Sequence, residues 1–115
     1  MKSNINVQVE LDEDKMPEQI EWNAPGGGVD GFQQAKAVMI GLWDGEEKSA
    51  LRIDLWTKKM MVDEMNDFFY QSFMGMADTY LRATNNADLA KDMRNFAAGF
   101  YKRANEAMSK EEQKG

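Results

Sequence analysis

The stretch QAKAVMIGLWDGEEKSALRIDLWTKK, residues 34–59, decides the fold class of this chain. Between residues 36 and 43 both the odd and the even positions are apolar, which is typical of a central strand or of one whose outer face meets a partner. A polar connection over residues 44–49 predicts a hairpin, and a period of two follows it. The apolar positions of that second strand are Leu51, Ile53 and Leu55, with Arg52, Asp54 and Trp56 between them.

Two further strands are predicted on the N-terminal side. Apolar odd positions from Ile5 to Leu11 indicate a half-buried strand over residues 4–11, and a shorter strand is expected over residues 19–23. The glycine-rich segment 24–31 is predicted to form a loop, and it lacks the Gly-Lys-Ser/Thr ending and the spacing of phosphate-binding loops. The sequence leaves open whether its triple glycine, Gly26 to Gly28, is functional. It thus predicts a four-stranded antiparallel meander.

After Thr57 the apolar period changes to 3.6, which predicts two amphipathic C-terminal helices packed on the sheet. The stripe expected to cover the sheet consists of Val62, Met65, Phe69, Phe73, Met76 and Tyr80. A second set, Tyr70, Met74, Ala77 and Leu81, lies about 100° around the same helix. That set needs cover from the other helix or from another subunit, so self-association as a dimer or tetramer is expected.

The boundary between the helices is predicted at residues 84–86, where Asn85 or Asn86 can cap the second helix. Its apolar positions repeat at helical spacing up to Ala107. Residues 110–115 are charged and have nothing to bury. The expected organisation is therefore one α+β domain over residues 1–109 with a flexible tail over residues 110–115.

The composition argues against several classes of function. The 115 residues include 20 acidic and 14 basic ones, net charge −6, and the basic residues are interspersed with carboxylates, so nucleic acid is not an expected partner. Cysteine and histidine are absent, which removes thiolate and imidazole chemistry and most transition-metal ligation. Acidic groups at residues 12–14 and 46–47 are interpreted as solvated turns, because catalytic carboxylates need partial desolvation. No enzymatic activity, metal or cofactor is expected.

The expected location is the cytoplasm. The N-terminus lacks the apolar segment of a signal peptide, and no apolar run approaches the roughly 20 residues of a membrane-spanning helix. Direct membrane insertion is therefore not expected. Docking at the inner face of a membrane complex remains open.

The candidate functional site is a protein-interaction surface. An exposed Trp can dominate binding, although a Trp on a strand is more often part of the core. Trp56 is the best candidate because its parity places it opposite the apolar face of its strand, together with Arg52 and Asp54. Tyr70, Met74 and Leu81 of the second helical stripe complete the predicted surface. Many of the ten methionines lie nearby, where they could fill a core or form an adaptable binding surface.

Three segments resemble a known family: VQVELDEDKMPEQIEWNA (7–24), QAKAVMIGLWDGEEKSALRIDLWTKKMMVDEMNDFF (34–69) and MADTYLRATNN (76–86). They are similar to the gliding-motility GldC family of Bacteroidetes. The resemblance implies an accessory factor of the gliding apparatus, whose core is shared with the type IX secretion machinery, and it supplies no catalytic residues. The predicted element order is also similar in outline to the tetrameric export chaperone SecB, which makes a SecB-like chaperone the alternative.

Overall fold

The structure, a computed structural model, describes residues 1–114 and the side chains of residues 1–111. Within these residues there are five strands and two long helices. The strands are β1 (Asn6–Leu11), β2 (Pro17–Ala24), β3 (Val29–Ala35), β4 (Ala37–Asp44) and β5 (Ser49–Trp56), and the helices are α1 (Val62–Thr84) and α2 (Ala87–Lys114). The chain divides into two compact units, Met1–Met60 and the residues from Met61 onward.

The predicted α+β class is confirmed, with antiparallel strands followed by two C-terminal helices. The structure refines the strand count by adding β3, which covers residues that the sequence assigned partly to the glycine-rich loop. β3 lacks an apolar alternation, so its extended state depends on pairing with β2 rather than on its own pattern. The glycine-rich segment is reduced to a single 3-10 turn, Pro25–Gly27, followed by Gly28 in the left-handed region at φ 91°.

The strands form two sheets. β1, β2 and β3 make one antiparallel sheet with β2 in the centre, and β4 and β5 make a second, two-stranded antiparallel sheet. Lys36 alone separates β3 from β4. Its carbonyl oxygen accepts hydrogen bonds from the backbone N–H of Thr57 at 2.8 Å and from the Thr57 hydroxyl at 3.1 Å, which closes the open end of the second sheet.

The buried centre of the first unit lies on β2. Ile20 is 1% exposed, and Asn23 is also buried. The Asn23 side chain accepts a hydrogen bond from the Asn6 amide of β1 at 2.8 Å and donates one to the backbone carbonyl of Asp30 in β3 at 3.1 Å. One buried amide therefore links all three strands of the first sheet, and its polar groups are satisfied.

The second unit is a helical hairpin closed by small side chains. Ala77 of α1 and Ala90 and Ala97 of α2 are fully buried, so the two helix backbones approach closely. Asn85 ends α1 in the left-handed region and donates its backbone N–H to Leu81 at 2.8 Å. The predicted Asn cap of α2 is confirmed at Asn86, whose side chain accepts the backbone N–H of Leu89 at 3.1 Å.

Two predictions about organisation remain predictions. They are the packing of the helices on the sheet and the single domain over residues 1–109. α2 continues through residues 110–114, which the sequence assigned to the charged tail. Residue 115 of that tail lies outside the described residues.

Candidate protein-interaction surface

One side of the second sheet carries two exposed tryptophans, and we call it the tryptophan face. Direct cross-strand pairs share one side of an antiparallel sheet, so the pairing of β4 with β5 defines its members. They are the pairs Ala37–Trp56, Met39–Asp54, Gly41–Arg52 and Trp43–Ala50. Trp43 is 69% exposed and Trp56 is 58% exposed. The structure thus places Trp56, Arg52 and Asp54 together, as their parity predicted.

A bidentate ion pair lies between the two tryptophans. Arg52 donates from Nε to one Asp54 carboxylate oxygen at 3.0 Å and from Nη2 to the other at 2.8 Å. The Asp54 carboxylate raises the pKa of Arg52, so the guanidinium is permanently charged. A Cβ atom at Gly41 would lie 3.6 Å from Arg52 Nη1, an ordinary van der Waals contact, so Gly41 and the guanidinium are neighbours on this face.

Trp43 was not among the predicted site residues. Alternation predicts its parity within β4, but parity alone does not say which side of β4 joins which side of β5. The register Trp43–Ala50 and Ala37–Trp56 supplies that information. The two tryptophans are six residues apart along the strand direction, roughly 20 Å at the rise of a β-strand. They therefore bracket a surface long enough for an extended segment or one face of a helix.

The other side of the second sheet is mostly aliphatic, and we call it the aliphatic face. It consists of the pairs Val38–Leu55, Ile40–Ile53 and Leu42–Leu51, and the polar pair Asp44–Ser49 ends it next to the hairpin turn. No side chain of residues 37–56 reaches full burial, and Leu42 is 56% exposed. Both sides of this sheet thus present apolar side chains, and neither is closed by residues of the sheet itself.

The three predicted site residues of α1 lie in the helical unit instead. Tyr70, Met74 and Leu81 are half-buried and occupy the same side of α1 as the fully buried Ala77. The ring of Tyr70 stacks on Tyr101 of α2 with centroids 4.4 Å apart. A hydrogen bond to the Asp67 carboxylate raises the pKa of Tyr101, which is therefore held in its protonated form. α2 therefore partly covers the second stripe of α1.

The first stripe of α1 borders an aromatic cluster. The ring of Phe73 meets those of Phe96 and Phe100 edge to face, with centroids 5.6 Å and 5.4 Å apart. Phe73, Met93 and Phe96, together with Asp92, line an open groove of about 300 Å³. Phe96 remains 56% exposed, so this side of the helical hairpin also has an accessible apolar surface.

The acidic turn at residues 12–14 has a structural role. The Asp12 carboxylate accepts the Lys58 ammonium at 2.9 Å and the backbone N–H groups of Asp14 and Met16 at 2.8 Å and 3.0 Å. Lys58 first, and then these N–H groups, lower the pKa of Asp12. Asp12 thereby ties the turn after β1 to the segment after β5. Among the described residues, no group of three or more carboxylates is arranged to hold a metal ion.

The fold defines a small α+β protein that exposes apolar and aromatic side chains on the second sheet and on the helical hairpin. No described helix is both long enough and apolar enough to span a bilayer. A family model described as "Gliding motility-associated protein GldC-like" matches residues 17–106, and the chain belongs to this GldC-like family. The family is associated with gliding motility and is not a known enzyme family. No curated protein and no solved structure matches the chain.

Proposed function

We propose that this chain is a non-enzymatic adaptor of the gliding-motility machinery, linked to type IX secretion, which acts through contacts with other proteins of that machinery. Membership of the GldC-like family supports the association with gliding. The proposed location is the cytoplasm, with docking at the inner face of the cytoplasmic membrane. The adaptor binds proteins rather than nucleic acid, because the chain carries a net charge of −6.

The tryptophan face is the observation that carries this proposal. Trp, Tyr and Arg are enriched among the residues that dominate protein interfaces. Trp43 and Trp56 each expose more than half of their surface on a regular sheet, and Arg52 lies between them in a geometry fixed by Asp54. A rigid strand scaffold holds these side chains in place before a partner arrives, which lowers the entropic cost of binding.

The test is complementation in a gliding bacterium that carries this gene. Deletion is expected to reduce colony spreading, and the wild-type chain is expected to restore it. The double variant Trp43→Ala/Trp56→Ala should fold, because neither side chain is buried, yet should fail to restore spreading. Phe32→Ala is the matched control, since it removes an exposed aromatic side chain from β3 in the other sheet.

Two results would count against the proposal. Normal spreading together with normal secretion after deletion would contradict the proposed role in the machinery. Full complementation by the double tryptophan variant would remove the tryptophan face as the binding surface. Circular dichroism and immunoblotting of the double variant check that a failure to restore spreading is not caused by unfolding or low expression.

The alternative function is a SecB-like chaperone that binds unfolded export substrates. The observation that favours it is the open groove lined by Phe73, Met93 and Phe96, which suits apolar segments of variable sequence. The likeness to SecB rests on element order alone. Equimolar chain should suppress aggregation of an unfolded secretion substrate, and Phe96→Ser should weaken the effect. Aggregation at an unchanged rate would dismiss this alternative.

A further inference from the structure

The two sheets have four outer strand edges, and one of them differs from the others in charge. β1, β3 and β5 contain Glu10, Asp30 and the Arg52–Asp54 pair. Charged residues on edge strands are a common protection against pairing with another chain. β4 carries no charged residue and no proline from Ala37 to Trp43. Its outer edge therefore lacks the protection that the other three edges have.

The hydrogen bond between Thr57 and Lys36 shows which backbone groups face that edge. In an antiparallel pair, hydrogen-bonded and non-hydrogen-bonded positions alternate. Lys36 and Thr57 form a hydrogen-bonded position, so residues 38, 40, 42 and 44 also direct their N–H and C=O groups toward β5. Ala37, Met39, Gly41 and Trp43 direct theirs outward. No backbone partner for these four residues is present among the described residues.

We propose that β4 pairs antiparallel with β4 of a second copy of this chain, about a two-fold axis at Ile40. The two copies then form a continuous four-stranded sheet in the order β5, β4, β4 and β5. Ala37 lies opposite Trp43 of the second copy, and Met39 lies opposite Gly41. The outward groups of each copy are all used, giving about eight hydrogen bonds across the axis.

Side-chain size favours this register. On the tryptophan face, the largest side chain of β4 meets the small Ala37, and the flexible Met39 meets Gly41, which has no side chain. On the aliphatic face, Ile40 meets its own copy and Val38 meets Leu42. Each large residue therefore has a smaller neighbour or an aliphatic one of similar shape.

Charge favours a second copy as the occupant. Most of the surface of a chain with net charge −6 repels an identical chain, but residues 37–43 contribute no charge. The proposed register also places Lys36 opposite Asp44 of the second copy at each end of the paired strands. Opposite charges at both ends of an uncharged strand fit a two-fold arrangement, in which every contact occurs twice.

The low stability expected of a two-stranded sheet gives a physical reason for the pairing. A two-stranded sheet is marginal by itself in water, whereas three or more strands with a hydrophobic face can be stable. Pairing through β4 converts two such sheets into one sheet of four strands. The three aliphatic pairs of each copy become one continuous surface on one side of it. The tryptophan faces of both copies lie together on the other side.

Disulfide cross-linking tests the register directly, because the chain contains no cysteine. In this register Ile40 and its copy form a non-hydrogen-bonded pair between the two β4 strands. The Cα atoms of such a pair are about 4.5 Å apart, within the range for a disulfide. Ile40→Cys should therefore give a covalent dimer under mild oxidation. Leu42→Cys is the matched control on the same face of the same strand. Its copies would be about 13 Å apart in this register, although Leu42 is the more exposed residue.

Proline substitutions separate pairing of β4 from random collision. In the Ile40→Cys background, Met39→Pro removes an outward N–H from β4 and leaves the bonds between β4 and β5 intact. Asp54→Pro does the same on the outer edge of β5, at the residue directly opposite Met39. Cross-linking should fall at least tenfold with Met39→Pro and persist with Asp54→Pro.

The outcomes are distinct. A covalent Ile40→Cys dimer that Met39→Pro alone abolishes supports the proposal, as does a dimeric mass of the wild-type chain by light scattering at high micromolar concentration. Equal or stronger cross-linking of Leu42→Cys would overturn the register. A monomeric mass at that concentration would overturn the pairing. The same result is expected if β4 instead pairs with a different protein. These measurements use purified protein, so the proposed role in gliding can stand or fail independently.

Discussion

The two sheets of the first unit reverse the usual relation between hydrophobicity and burial. The β1–β2–β3 sheet is rich in Gln, Asn and Glu, yet Ile20 and Asn23 at its centre are buried. The β4–β5 sheet contains three aliphatic cross-strand pairs, yet it has no buried side chain. β2 is a central strand with neighbours on both edges, whereas the second sheet has no central strand.

The difference shows that apolar content alone does not locate the core of this chain. β3 pairs with β2 even though β3 is polar. The most apolar stretch, residues 37–43, instead forms an outer edge. The apolar pattern favoured a central strand, or one whose outer face meets a partner; the first interpretation is wrong, because β4 is an edge strand.

The largest expected effect compares one chemical change in both sheets. Ile20→Ala removes a fully buried side chain and should lower the free energy of unfolding by about 2–4 kcal/mol. Ile53→Ala makes the same truncation at a residue that is 50% exposed and should cost less than about 1 kcal/mol. Urea denaturation at low micromolar concentration measures both. Equal losses would show that the aliphatic face is covered to the same extent as Ile20.

A second, smaller effect concerns the polar centre of the first sheet. Asn23→Ala leaves the Asp30 carbonyl and the Asn6 amide without their hydrogen bonds, and it should cost about 1–3 kcal/mol. Gln8→Ala, an exposed amide on β1, is the control and should change stability by less than about 0.5 kcal/mol. The two thermal unfolding curves should therefore separate clearly. Overlapping curves would contradict the role given to Asn23.

The smallest effect is the pH dependence of the tie between Asp12 and Lys58. The pKa of Asp12 is lowered from its ordinary value of 3.8, so the folded state favours the ionised carboxylate. Its contribution to stability is therefore present above pH 3.8 and is lost as the pH falls through the lowered pKa. Lys58→Met should move the pKa of Asp12 upward in an NMR titration. An unchanged pKa would remove Lys58 as the main cause of the shift.

The sequence predicted the parts of the fold that depend on local periodicity. Alternation in residues 51–56 predicted β5, and the helical repeat after Thr57 predicted both helices. The Asn pair predicted the boundary between the helices. β3 could not be recognised, because Val29, Phe32 and Ala35 follow no period of two. The division into two sheets falls at Lys36, a single residue with no sequence signature for a break.

The candidate site was predictable in part for a similar reason. Parity within one strand grouped Trp56, Arg52 and Asp54, since successive residues alternate between faces. Trp43 belongs to the same face only through the register between two strands, which depends on the hairpin length as well as on parity. Tyr70, Met74 and Leu81 were predicted for the same surface as Trp56, but they occupy a helix side that α2 partly covers. Their role in binding another protein stays a prediction.

The connection between α1 and α2 makes the length of the helical unit unusually constrained. Only two residues join the helices, and both are helix caps. Asn85 caps the C-terminal end of α1, and Asn86 caps the N-terminal end of α2. One residue inserted within α2 before Ala90 would rotate the rest of that helix by about 100°. Ala90 and Ala97 would then leave the contact with α1, and larger side chains would take their places. We therefore expect insertions and deletions to be tolerated poorly here, even where substitutions are accepted.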